Sequence, residues 1–201
     1  MEWMDVVNND ETMVEGGSGL SLPQKLAKLH SIAAKTPPGQ RDLMFGWHRS
    51  TYCGSTKQIN AFRASWSKFY AENRLLGILN MIEEAHGTDQ ELRAGVKAIA
   101  DVVVPRLLGN GHLGGRRGIM PVLVHGDLWY GNKAYGVNPA WGGPEHVLFD
   151  PSASYCHSEY EIGIMRAFGG FTAGFFHEYH SIVPKTEPIN EYEDRIELYK
   201  L

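Results

Sequence analysis

The residues best suited to chemistry in this 201-residue chain lie in two short stretches. The first is Val122 to Asn132, Val-Leu-Val-His-Gly-Asp-Leu-Trp-Tyr-Gly-Asn. Its apolar run breaks at His125-Gly126, Asp127 follows at once, and Asn132 comes after four intervening residues. The second is Val147 to Asp150, where another apolar run delivers another carboxylate. Two strand ends thus offer Asp, Asn and Asp to one small volume. Phosphoryl transfer from ATP needs this set: one carboxylate to orient the attacking hydroxyl and accept its proton, and an amide with a second carboxylate to hold magnesium on the phosphates. In isolation, Asp and Asn at this spacing would be read as turn residues. The His-Gly before them, the strand on each side and the second strand-terminal Asp favour the catalytic reading.

The Asp-x-x-x-x-Asn spacing is that of kinase catalytic loops, with Asp150 in the part of the later magnesium-binding aspartate. Asp127 is the expected base, acting chiefly by positioning the hydroxyl. Asn132 and Asp150 are the expected Mg2+ ligands, because that hard cation selects oxygen donors. In space the three side chains should converge within roughly 5–8 Å, which leaves room for metal and phosphate. His125 is expected to brace the loop through backbone hydrogen bonds. Trp129 either stacks on substrate or packs under the loop. Gln58 and Asn60 are candidates to line a substrate cleft, with helix capping an equal explanation for Asn60. His157, Glu159 and Glu161 follow the second Asp; a helix N-terminus explains the acids, and His157 is carried as a substrate-site candidate. His177 and His180 stand three apart with no further ligand near, so no zinc site is expected.

These residues need elements to hold them. At 43% hydrophobic and 21% charged, the chain has the material for one packed domain or one large lobe. A net charge of −4 without a basic block argues against nucleic-acid or membrane-surface partners. Cys53 and Cys156 lie in unrelated contexts, which fits a reduced compartment. Met1 to Glu15 is acidic and lacks the apolar run of a signal peptide, and no run approaches the roughly 18 apolar residues of a membrane span. A cytoplasmic protein is the expectation.

Asn8 to Gly19 reads as a loop. Ser21 and Gln24 have capping-box spacing at the start of a helix bearing Leu22, Leu26 and Leu29. Residues 40–59 read as irregular. A helix of about 25 residues should start near Asn60, with Trp66, Phe69, Tyr70 and Leu79 facing inward. Thr88 with Glu91 should open a third helix, ended or kinked at Pro105. Lys133 to Val137 and His146 to Asp150 should be strands. After Pro151 the pattern turns helical, with capping boxes expected at Ser158/Glu161 and Asn190/Glu193. The fold class is α+β: a protein-kinase-like C-terminal lobe, mainly helical, with a small β-element that carries the catalytic loop. No Gly-rich phosphate loop or strand-borne Lys precedes that loop, so the N-terminal lobe is expected to be absent from these residues.

Leu123 to Asn132, with Val-His-Gly-Asp-Leu-Trp-Tyr-Gly-Asn at its core, resembles the fructosamine-3-kinase (ketosamine kinase, protein-ribulosamine 3-kinase) family of the aminoglycoside-phosphotransferase-like fold. Phe149-Asp150-Pro151-Ser152 with Tyr155-Cys156-His157 is similar to that family's Asp-Pro-Ala and Tyr-Gly-His segment, although Cys156 stands where the family commonly has Gly. Phe168-Gly169-Gly170-Phe171 is similar to its Phe-Gly-Gly-Phe. Phe45-Gly46, Thr51, Gly54, Gln58 and Asn60, then Trp66 and Phe69, match its motif ahead of the long helix. Arg195, Leu198 and Tyr199 resemble its Arg-x-x-Leu-Tyr. The resemblance implies ATP-dependent phosphorylation of the 3-hydroxyl of ketosamines (fructosamine or ribulosamine) on protein amines, followed by loss of the unstable phosphate and deglycation. Partners would be glycated proteins or small ketosamines. It also implies that residues 1–6 are a hinge-strand remnant, with backbone groups of Glu2, Trp3 and Met4 meeting adenine, and that residues 7–201 are the lobe, cut within a C-terminal helix. On that reading residues 1–201 alone should be inactive and prone to self-association. Two other readings compete: an inactive fragment or scaffold, and a small-molecule kinase of the aminoglycoside or choline type.

Overall fold

The computed structural model describes residues 5–6, 19–138 and 143–201. Glu2, Trp3 and Met4, the expected adenine-facing segment, and most of the expected loop at 8–19 lie outside the described residues. The fold is α+β. In chain order it contains β1 (Asp5–Val6), α1 (Leu22–His30), β2 (Thr51–Cys53), β3 (Thr56–Gln58), α2 (Trp66–Phe69), α3 (Gly77–His86), α4 (Gln90–Ala98), α5 (Val104–Leu108), β4 (Val122–Val124), β5 (Lys133–Asn138), β6 (Gly143–Leu148), β7 (Ser154–Cys156), α6 (Ser158–Phe168), α7 (Ala173–Ile182) and α8 (Tyr192–Tyr199).

The strands form three small antiparallel units. The first is a sheet in the order β1-β5-β6, the second the β2–β3 hairpin, and the third the β4–β7 pair. Isolated bridges extend the third unit: Ala33 joins Val122, and Gly46 joins Tyr155. Three strands are additions to the expected pattern. β2–β3 lies within residues read as irregular, and β7 lies where the pattern after Pro151 reads as helix.

α1 starts as its sequence dictates. The Ser21 side chain accepts from the Gln24 N–H while the Gln24 side chain accepts from the Ser21 N–H. The long aromatic helix starts at Trp66, not Asn60, and passes from α2 to α3 through a π-helical stretch, Tyr70–Leu76. A second π-helical stretch, Ile99–Val103, links α4 to α5 just before Pro105. Proline has no N–H to give, and here the Val104 N–H reaches back to the Ile99 carbonyl. The helix widens there and continues to Leu108. Asp89, rather than Thr88, caps α4, accepting from the Glu91 and Leu92 N–H groups.

The core gathers around Trp66, which is 1% exposed. Its indole N–H donates to the Tyr199 hydroxyl at 2.7 Å, and its ring stacks on Phe69. The Tyr70 hydroxyl donates to the Leu198 carbonyl at 2.5 Å. These bonds seat α8 against the aromatic helix. A buried Arg195–Glu159 ion pair at 2.7 Å ties α8 to α6. No helix among the described residues is long and apolar enough to cross a membrane.

Candidate active site

Three strand ends meet at one place. β4 runs out into His125-Gly126-Asp127, a short 3-10 turn, Tyr130–Asn132, leads into β5, and β6 runs out into Phe149-Asp150. Because β5 and β6 pair from Lys133↔Leu148, Asn132 and Phe149 lie side by side, and the Phe149 N–H donates to the Asn132 carbonyl at 3.2 Å. β7, paired with β4, brings Ser152 up against Gly126. A Cβ on Gly126 would stand 2.3 Å from the Ser152 carbonyl oxygen, and φ there is +82°. Glycine is therefore required on both steric and conformational grounds.

Asp127, Asn132 and Asp150 line a single cavity of about 1050 Å³. The Asn132 amide donates to the Asp127 backbone carbonyl at 2.7 Å and to the Asp127 carboxylate at 3.3 Å. Its amide hydrogens therefore face Asp127, and its oxygen is the atom it can offer a cation. Burial pushes the Asp127 carboxyl above its ordinary value, with the charges of Glu161 and Asp150 adding to the effect. The Asn132 hydrogen bond and His125 work against it. Asp150 is exposed and holds φ at +52°, a left-handed backbone that Asp tolerates better than most side chains. Such outliers gather at functional sites.

His125 is a brace in this arrangement. Its Nε2 lies 2.8 Å from the Phe149 carbonyl, which can only accept, so Nε2 carries the proton. Its Nδ1 is then the acceptor for the Asp127 N–H at 3.4 Å. One imidazole thereby ties the head of the Asp127 loop to the chain just before Asp150.

Trp129 is half-buried and lines the cavity. It also packs across its own loop: a Cβ on Gly131 would lie 2.5 Å from its ring, and Tyr130 and Phe168 flank it at 4.8 and 6.0 Å between centroids. The Phe168–Phe171 turn is fastened to this loop by Lys133, whose ammonium donates to the Gly170 carbonyl at 2.8 Å.

Gln58, at the end of β3, is 5% exposed and lines the cavity. Asn60 is no helix cap. Its amide donates to the Arg49 carbonyl and the Thr51 hydroxyl, and its oxygen accepts from Arg74 at 2.8 Å, so it stiffens the wall behind Gln58. His157 is 2% exposed, with its ring nitrogens on the Tyr199 and Thr186 hydroxyls, a core position rather than one on the cavity wall. The capping box expected at Ser158 does not form. His157 holds the N-cap position, and Glu161 turns inward to accept from the His125 and Gly126 N–H groups. Asn190 likewise caps nothing; α8 starts from a 3-10 turn with no side-chain cap. Glu161, read from the sequence as an acid at a helix N-terminus, instead supports the loop, and Arg74 and Cys53, not foreseen at the site, line the cavity, Cys53 donating to the Gly126 carbonyl at 3.4 Å. Among the described residues no group of three His, Cys, Asp or Glu side chains could hold a metal, and His177 and His180 form no such cluster.

The family model for fructosamine kinase matches residues 1–201. The chain belongs to the fructosamine kinase family. Within that family it is similar to the ketosamine-3-kinase of Mus musculus, at 36% identity over 157 residues, covering 78% of this chain and 45% of the relative. It is 35% identical over 185 residues to the chloroplastic protein-ribulosamine 3-kinase of Arabidopsis thaliana, covering 92% and 50% respectively. The crystal structure of a "putative fructosamine-3-kinase" from Thermobifida fusca superposes with a TM-score of 0.74 at 25% identity, covering 100% of this chain and 59% of the other. The chain spans about half the length of the curated relatives it matches.

Proposed function

We propose that the protein carrying this chain transfers the terminal phosphate of ATP to the 3-hydroxyl of a ketosamine. The observation that carries the reading is the convergence of Asp127, Asn132 and Asp150 on one cavity in a member of the fructosamine kinase family. Asp127 orients the acceptor hydroxyl and takes its proton as the bond to phosphorus forms. Burial raises its pKa, which makes it a stronger acceptor for the hydroxyl proton. The Asn132 amide oxygen and the Asp150 carboxylate are the oxygen donors that would hold Mg2+. That ion, when bound, neutralises charge on the phosphates. Trp129 and Gln58 line the cavity and would meet the sugar. A phosphate on the carbon beside the ketone leaves as inorganic phosphate through the enaminol, and water then hydrolyses the resulting imine to the free amine and a 3-deoxydicarbonyl sugar, so the net outcome would be removal of the sugar adduct. Relatives from mouse and Arabidopsis, a ketosamine-3-kinase and a protein-ribulosamine 3-kinase, support ketosamines as the acceptor class.

The test is an acceptor panel: ATP and Mg2+ with a glycated lysine, an aminoglycoside and choline, followed by phosphorus NMR. The expected product is a ketosamine 3-phosphate that decays to free amine and inorganic phosphate. Turnover confined to the aminoglycoside or choline would move the assignment to the small-molecule kinases.

A further inference from the structure

The three N–H groups at the head of the catalytic loop all end on side chains. The His125 N–H donates to Glu161 Oε2 at 2.5 Å, and the Gly126 N–H to Glu161 Oε1 at 3.0 Å. The Asp127 N–H donates to His125 Nδ1. With Gly126 in the left-handed region, successive N–H groups point to one spot and make a concavity suited to an anion. The anion here is a side chain of the protein itself, and Glu161 is fully buried.

We propose that Glu161 is a positioning residue for the transfer: its carboxylate clamps the backbone of His125 and Gly126 and so aims the Asp127 carboxylate at the acceptor hydroxyl. The proposal rests on the phosphotransferase reading of the site. Glu161 takes no place on the cavity wall, so it acts through the loop rather than on substrate. It projects from α6, whose Ile162 and Met165 are fully buried, and a clamp on a rigid element holds its target closely. Gly126 is pressed from the other side by the Ser152 carbonyl, so the peptide preceding Asp127 is gripped between two fixed groups. The carboxylate is faced by His30 of α1, whose Nε2 lies 3.6 Å away and makes no hydrogen bond among the described residues. Tyr179 of α7 holds the other His30 nitrogen at 2.6 Å. A glutamine would keep the shape but present a single acceptor oxygen, with an NH2 opposed to an N–H. An aspartate would keep both oxygens on a shorter stem.

The test compares kcat and both KM values for wild type, Glu161→Gln, Glu161→Asp and Glu159→Gln. Glu159 sits on the same helix, is also buried and pairs with Arg195, yet it touches no residue of the loop, so it controls for loss of a buried carboxylate. Displacement of a reacting group by an ångström costs about a hundredfold, so Glu161→Gln should lose about that factor in kcat. A group that acts only on the transition state leaves binding alone, so both KM values should stay within about threefold. Glu159→Gln should lower Tm while kcat per folded molecule stays near wild type. Wild-type kcat in Glu161→Gln overturns the proposal, as does an equal kcat loss in Glu159→Gln. Should Glu161→Gln not fold, the aspartate variant decides: a loss of about tenfold or more in kcat at unchanged KM supports the clamp, and a smaller loss overturns it. A wild type inactive on ketosamines would instead sink the proposed function.

Discussion

His157 shows how far a residue can be from the chemistry while standing only seven residues after Asp150 in the chain. Burial pushes its pKa down to about 4, against the pull of Glu159 in the other direction. The unfolded chain takes up this proton near 6.5, the folded protein only near 4. Between those values the unfolded state binds more protons, so stability falls as pH drops through the window, by about 3 kcal/mol in all. The Glu159 carboxyl, which burial pushes up but His157 and Arg195 hold below the ordinary range, gives up its share only below about 4.5. Denaturant midpoints measured from pH 7 to 4 should therefore slope downward, and His157→Gln should flatten the slope even though it starts less stable. An unchanged slope in the variant would take His157 out of the account. That Asp127, Asn132 and Asp150 share one cavity was legible at this scale because residue type and spacing at the strand ends carry it. The roles of Glu161 and Asn60 were not legible. Glu161 bonds to residues 36 and 35 positions away, and Asn60 to Arg74 14 positions away, so no local spacing reports either.

At the scale of elements, local signals succeeded where the partner was local. Ser21 and Gln24 form their capping box because nothing else competes for those groups within the first turn, although Glu178 adds a bond to each side chain. Ser158 and Glu161 have the same spacing and form none, because two buried backbone N–H groups claim the carboxylate. Pro105 breaks nothing because the π-helical stretch ahead of it absorbs the missing donor. The β2–β3 hairpin escaped notice because its strands are three residues each, too short to show alternation. Yet it supplies Cys53 and Gln58 to the cavity. Between α6 and α8 the decisive contact is Arg195 with Glu159, and Arg195 also donates to the Pro188 and Thr186 carbonyls. Removal of one partner of a buried pair leaves the other charge uncompensated, at about 3–5 kcal/mol. Arg195→Leu should lose stability of that order in urea unfolding. A loss below roughly 1 kcal/mol, the worth of an exposed pair, would mean the pair is solvated.

For the whole molecule, the described residues form a helical body with three small β units, and the site lies where those units end. β4, β5 and β6 each deliver one member of the trio, β7 presses on the loop from one side, and α6 grips it from another. The arrangement explains why the motif residues can be so far apart in sequence and still share a cavity. The measurement that bears most directly on the account is ATP-dependent phosphorylation of a glycated lysine by wild type and by Asp127→Asn, with folding checked by near-UV circular dichroism. General-base groups contribute about 100- to 10,000-fold, so the variant should lose turnover by that order while keeping wild-type spectra. A well-folded Asp127→Asn protein with near-normal turnover would contradict the account, because the residue on which the three strand ends converge would then not be doing the chemistry.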